Sequence, residues 1–460
     1  MMMGNPMRIA LVALAFASTL HAADWPQWLG PQRDGVWRET GLVDTFPKDL
    51  KPLWSQSLGQ GYSGPAVSDG KLFVMDRELA KDAKNPANVF DSKSKVDGNE
   101  RVLCFNSKTG QPLWKHEYPC TYQISYAAGP RCTPTVDGKH VYTLGAMGDL
   151  YCLDKANGNM KWKKNLVKDY AAKVPVWGFA CHPLIDGDKL IVVGGGPDKL
   201  VIAFDKLTGN ELWHSQSCEG DFGYCPPVIL EFGGIRQLIV WHSQACVGLD
   251  PGTGKRLWKY EFSVKAALNT PLPRKIGDHL LIVSFYQGST LLKVGKDSVE
   301  VTWKSKAKGE RPNLTTDLSS IMCTPFIDDG TIYGVCSYGE LRGVDAMTGK
   351  RLWSTMKATR GALTPPKVAE NEEPAESERW SNAFIVKQEQ RYLLFNEQGD
   401  LIIAKMTPKG YEEVSRAHLI DPTNTMAGRR SKVVWMHPAF ADKCVFVRND
   451  DVIRCYSLAK

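Results

Sequence analysis

Beyond its first 23 residues, no stretch of this 460-residue chain approaches eighteen consecutive apolar residues, which argues against a membrane-spanning helix. Its 12 cysteines include no CxxC and no adjacent pair, so a zinc knuckle, a thioredoxin-like redox site and c-type haem attachment are all unsupported. The nine histidines form no HExxH, and no GxSxG nucleophile turn occurs. Charge of one sign is scarce as well: 57 Lys and Arg face 50 Asp and Glu, and the net charge of +7 is spread along the chain. The densest basic run, KWKKNLVKDYAAK from Lys161, is broken by Asp169 and apolar residues, so neither a nucleic-acid nor an acidic-lipid partner is expected. GQGYSG (59–64) matches a dinucleotide fingerprint, but a proline-led hairpin follows where a helix N-terminus is needed. VVGGGPDK (192–199) lacks the Lys-Ser or Lys-Thr ending of a phosphate loop.

What is present begins with an export signal. Arg8 supplies a positive region, IALVALAFASTL (9–20) an apolar core too short to span a bilayer, and HAAD the small residues before a cut near Ala22 or Ala23. Residues 1–23 are read as a signal peptide, with a mature chain from about Asp24 in the periplasm or at the cell surface. No cysteine follows either cut, which argues against a lipid anchor. All cysteines then meet an oxidising compartment, where disulfides are allowed.

The mature chain repeats itself. Trp54, Trp114, Trp162, Trp213, Trp258, Trp303 and Trp353 recur at the spacing of propeller blades, most of them ending TGKRLW-like stretches. The clearest unit, CTPTVDGKHVYTLGAMGDLYCLDKANGNMKW (132–162), reads as four short strands joined by Asp-Gly and Asn-Gly turns. First strands are expected near Pro65, Pro134, Pro183, Pro227, Pro271, Pro325, Ala383 and Pro438. The eighth unit lacks a fourth strand, and KPLWSQ (51–56) is an orphan strand that supplies one. The expected fold is therefore all-β: residues 51–460 form one eight-bladed β-propeller closed by an N-terminal strand, preceded by an extension over 24–50. The recurrent tryptophans are read as packing between neighbouring blades rather than as a cofactor site.

FDKLTGNELW and LDPGTGKRLW resemble the pyrroloquinoline quinone (PQQ) repeat, and DWPQWLGPQRDG resembles the start of secreted quinoprotein-like propellers. That resemblance covers essentially the whole mature chain and implies the propeller fold. It leaves function open, because such repeats occur both in PQQ-dependent dehydrogenases and in the non-enzymatic assembly factor BamB. The dehydrogenase resemblance would imply PQQ with Ca²⁺ held by Glu and Asn, an Asp base and often a ring of adjacent cysteines. The cysteine ring is absent here, and no local motif carries the other residues over.

The long segments, including 77–100, 163–177, 304–321, 354–379 and 415–434, fall on the face opposite the Asp-Gly turns, and loops on a rigid scaffold are where binding resides. The residues just before each first strand should ring the channel mouth on that face. Tyr62, Arg131, Trp177, His182, Tyr224, Asn269, Trp435 and His437 are thus the candidate ligand site, and no catalytic residue is assigned. The expected function is an exported binding or scaffold module for a protein, peptide, glycan or small ligand; the alternative is a PQQ-dependent alcohol or sugar oxidoreductase. In CVFVRNDDVIRC a two-residue turn at Asn449-Asp450 would set Cys444 opposite Cys455, a candidate disulfide.

Overall fold

The computed structural model describes residues 24–360, 379–426 and 432–460; the expected signal peptide over 1–23 lies outside the described residues. Eight four-stranded antiparallel sheets form the ring, each running in chain order from the channel outwards. Their inner strands begin at Ala66, Thr135, Leu184, Val228, Arg274, Phe326, Ala383 and Ala439. Only the fifth departs by more than one residue from the expected start. The eighth sheet takes its outermost strand from Trp54–Ser57, with Trp54 opposite Cys455, so the chain's beginning closes the ring on its end.

The TG turn explains the repeated tryptophan. In the third blade, Asp205 Oδ1 accepts from the backbone N–H groups of Leu207 and Thr208 (3.1 and 2.8 Å) and from the Thr208 hydroxyl (2.8 Å). The Gly209 N–H then returns to the Asp205 carbonyl at 2.8 Å, with Gly209 at φ +72°. A side chain there would be strained, and its Cβ would also lie 2.7 Å from the Trp162 indole of the preceding blade. The indole N–H completes the clasp by donating to the Lys206 carbonyl at 3.0 Å. The same arrangement joins Trp54 to Gly110 and Ser107, Trp114 to Gly158 and Lys155, and Trp303 to Gly349 and Ala346. The turn GKDSV of the fifth blade lacks the motif, and Trp258 turns its N–H back to Gln237 of its own blade at 2.6 Å.

Two local expectations need correction. The segment 77–100 is not all loop, because the second and third strands of the first blade run on as Lys71–Leu79 and Gly98–Asn106 and pair Arg77 with Glu100. The last hairpin turns one residue later than expected, about Asp450–Asp451: Asn449 N donates to Val452 O at 3.0 Å, and Asn449 Oδ1 accepts from both Asp451 N and Val452 N (2.9 and 2.8 Å). Cys444 therefore faces Ser457 and Cys455 faces Phe446. The two cysteines are diagonal neighbours whose thiols share a hydrogen bond, which lowers the Cys444 thiol and raises that of Cys455.

The extension over 24–50 fills the channel from the Asp-Gly turn face. Asp24 accepts from Ser68 Oγ and Asp69 N at the first hairpin turn, and Trp25 exchanges two 2.9 Å backbone bonds with Val67. Pro26 O accepts from Val136 N of the second blade at 2.8 Å. Arg33 donates to His182 O and Pro183 O of the third and to Pro227 O of the fourth. Arg33 O in turn accepts from Arg274 of the fifth blade. Trp37 N and Lys443 N tie the segment to Lys387 O of the seventh blade and, through Glu39, to the eighth. Trp25, Trp28, Leu29 and Trp37 are all buried in this seat, so the channel has a floor.

Gly209→Ala is expected to destabilise the protein by about 2–4 kcal/mol, from the left-handed backbone and the displaced indole together. Gly187→Ala, at φ +60° with nothing within 4 Å of its Cβ, should cost only about 1–2 kcal/mol. Denaturant unfolding compares them; equal losses would show that the clasp adds nothing to the turn.

Candidate functional site

Above that floor, at the channel mouth on the loop face, lies a blind cup of about 360 Å³. Its walls come from the residues that precede the inner strands, where proline fixes φ and withholds an N–H from the ladder, as at Pro183 and Pro227. Seven of the eight expected residues line it: Tyr62, Arg131, Trp177, His182, Tyr224, Trp435 and His437. Asn269 does not. It is 0% exposed and its Nδ2 donates to the Trp241 carbonyl at 2.6 Å, so its neighbour Thr270 takes the place in the lining. The cysteines of the same ring, Cys132, Cys181, Cys225 and Cys323, are buried between blades; Cys225 Sγ, for example, lies 3.5 Å from Pro271 O. Burial raises all four thiols, and they behave as small core residues.

Ten of the cup's twenty-one lining residues are Phe, Tyr or Trp. Trp28 forms the floor, 4% exposed, stacked on His182 at 4.7 Å and edge-on to His437 at 5.4 Å. Around the rim, Trp380, Phe90, Tyr126 and Trp435 touch in sequence at 6.2, 5.5 and 5.9 Å, which brings the first-blade insert across to the approach of the seventh blade. Trp177 meets Tyr224 edge-on at 5.4 Å, and the Tyr224 hydroxyl is fixed by Asp221 at 2.7 Å. Sequence reasoning missed Trp28, Phe90, Tyr126 and Trp380, which reach the mouth through tertiary folding of long segments. Trp28 alone carried a signal, being part of the DWPQWLGPQRDG opening.

Among the described residues, Arg131 is the sole charged side chain in the lining. It reaches the carbonyls of Gly129, Ser125 and Tyr126 and lies 5.2 Å over the Tyr62 ring, without a carboxylate partner. Beneath the floor Arg33 is 3% exposed, and burial pushes it down to about 9. Its partners are carbonyls and the Gln27 amide. His182 Nδ1 accepts from Thr133 N at 2.9 Å, so the neutral ring carries its proton on Nε2. Burial, then the nearby Arg33, holds His182 well below its ordinary value, and burial brings His437 down to about 3. Two grooves open from the rim. One, sharing Tyr62 and Tyr126 with the cup, holds Asn85, Thr423 and Asn424 with Asp91 and Asp450; the other, sharing Trp177 and Ala266, holds Ser243, Gln244 and Ser263 with Glu219 and Asp221.

With this geometry in view, the family profile described as outer membrane protein assembly factor BamB matches residues 98–355 and 247–453. The chain belongs to this family. The BamB of Burkholderia pseudomallei is 24% identical over 206 residues, 38% of this chain and 50% of that protein. The chain spans about half the length of the curated relatives it matches. Among solved structures, BamB from Moraxella catarrhalis superposes with a TM-score of 0.54 at 14% identity, covering 89% of this chain and 98% of that one. Quinohemoprotein alcohol dehydrogenase from Comamonas testosteroni gives 0.59 at 14% identity, covering 95% and 81%. These two likenesses show the shared propeller fold.

The Ca²⁺ that the dehydrogenase resemblance implies does not fit the described lining. Ca²⁺ takes six to eight oxygen ligands with carboxylates among them, whereas among the described residues the lining contains no Asp, Glu or Asn. Among the described residues, no three His, Cys, Asp or Glu side chains gather closely enough to hold a metal ion.

The histidines carry a pH dependence. Their folded values lie below the ordinary 6.5, so as pH falls the unfolded chain takes up protons that the folded one refuses, and stability declines from about pH 6.5 downward. Unfolding free energy should drop by about 1–3 kcal/mol between pH 7 and 4.5 on account of His437. His437→Gln is expected to flatten that slope; a slope equal to that of the wild type would mean the ring titrates as freely folded as unfolded.

Proposed function

We infer that this BamB-family propeller is an exported binding module whose ligand enters the aromatic cup from the loop face. One observation carries the reading: seven separately predicted residues, from six places in the chain, converge on one blind, largely apolar cavity whose size suits a ligand site. The B. pseudomallei relative is named for outer-membrane protein assembly, which supports a periplasmic setting and a protein or peptide as partner. Among the described residues the lining offers no nucleophile–base pair and no carboxylate to act as a general base, so the oxidoreductase alternative gains nothing from the described geometry.

Anilinonaphthalene sulfonate, an anionic aromatic dye, serves as a probe of the cup. It should bind one to one with enhanced fluorescence, and Thr270→Trp, which fills the cavity from its wall, should weaken it at least tenfold while the melting temperature moves by only a few degrees. Unchanged dye binding would place the site elsewhere. Ca²⁺-dependent dye reduction with alcohols or sugars would instead favour the oxidoreductase.

Export and the Cys444–Cys455 pair belong to the same reading. An intact mass of protein recovered from the periplasm should begin near Ala23 or Asp24 and lie two hydrogens below the reduced form, with peptide mapping locating the link. A retained leader removes the export reading, and free thiols at both positions remove the bond.

A further inference from the structure

Resting on the cup being the ligand site, we propose that it takes the C-terminus of a polypeptide, with a bulky apolar last side chain against the aromatic walls and the terminal carboxylate on Arg131. Charge, hydrogen-bonding capacity and shape each point to this ligand.

Within the described lining the charge is positive, whereas the rim grooves carry Asp91 and Asp450 on one side and Glu219 and Asp221 on the other. Arg131 in the wall and Arg33 below the floor have carbonyl and amide partners but no ion pair. Arg274, at the level of Arg33, bonds Pro325 O and Arg33 O, and burial lowers it to about 10. Carbonyl oxygens solvate a guanidinium without cancelling its charge, so an anion entering this low-dielectric mouth is favoured and a cation opposed.

The hydrogen-bonding groups left over are mainly donors. Two of the Arg131 nitrogens hold the 125–129 loop, and its Nε–H meets no acceptor among the described residues. His182 is 8% exposed, its Nδ1 is already used by Thr133 N, and its Nε2–H also has no acceptor among the described residues. A carboxylate, which only accepts, matches donors of this kind.

The cup is closed below by Trp28 and open only to the loop face, so a chain enters by an end or a side chain and cannot thread through. The polar grooves that leave the rim give the preceding residues a path, with Asn85 and Asn424 on one side and Ser243 and Gln244 on the other to meet peptide groups. A free aromatic acid shares the carboxylate and the ring but has no use for the grooves.

The test uses displacement of the naphthalene dye from the full-length mature protein by a hexapeptide ending in phenylalanine, as the free acid and as the C-terminal amide, and by N-acetylphenylalanine. The free acid should bind at least tenfold more tightly than the amide, and at least tenfold more tightly than N-acetylphenylalanine. Arg131→Gln should erase the preference for acid over amide, and rising salt should weaken the acid but not the amide. Equal binding of acid and amide by the wild-type protein overturns the proposal whether or not the variant folds. N-acetylphenylalanine matching the peptide also overturns it, in favour of a small aromatic acid. In both cases dye binding that Thr270→Trp abolishes leaves the cup itself standing as a site.

Discussion

An indole resting on a glycine holds this molecule together. Each sheet alone is a twisted four-stranded patch with two apolar faces, and it persists only when both are covered by neighbours. At four junctions the tryptophan of one blade lies against the TG glycine of the next and hands its N–H to a carbonyl just past the end of that blade's third strand, which fixes spacing and tilt in one contact. Gly209 shows why no other residue serves: its backbone is left-handed and its Cβ position is already occupied by the Trp162 ring. Everything functional on the loop face depends on that regularity, because a cup lined from the approaches to all eight blades exists only if those blades keep their angles.

The centre of the wheel is held differently. There the N-terminal segment lies across the channel and bonds to blade after blade, with Arg33 buried among the carbonyls of His182, Pro183 and Pro227. A guanidinium is suited to this place, since it presents donors in several directions and keeps its charge even when burial lowers its basicity to about 9. The floor it supports turns a through-channel into a one-sided vessel and leaves positive charge behind the aromatic wall.

The repeated part of the fold was legible in the sequence because each blade writes its own turn and tryptophan. Closure by Lys51–Gln56 was legible too, since an LW strand without a hairpin had to find one elsewhere. Around the mouth, the prolines marked the level at which each inner strand begins, and so found Tyr62, Arg131, His182 and Tyr224. The same rule failed at Asn269, where the fifth inner strand starts late at Arg274 and the chain folds the amide inward onto Trp241 O. Phe90, Tyr126 and Trp380 were illegible for a physical reason: their segments have no periodicity, and their positions follow from ring-to-ring contacts across three loops. The last hairpin misled because an Asn side chain capped two N–H groups and set the turn one residue later, which moved every partner in the ladder by two.

The closing strand and the channel floor share one property of time rather than of space. Trp54 pairs with Cys455, Leu42 with Ala459 and Val36 with Lys387, so the first structured residues to be made find their partners among the last. Contacts that distant in sequence are slow to form, and until they do the eighth sheet keeps an open edge and the centre of the ring stays unfilled. Folding of this ring therefore cannot finish during synthesis.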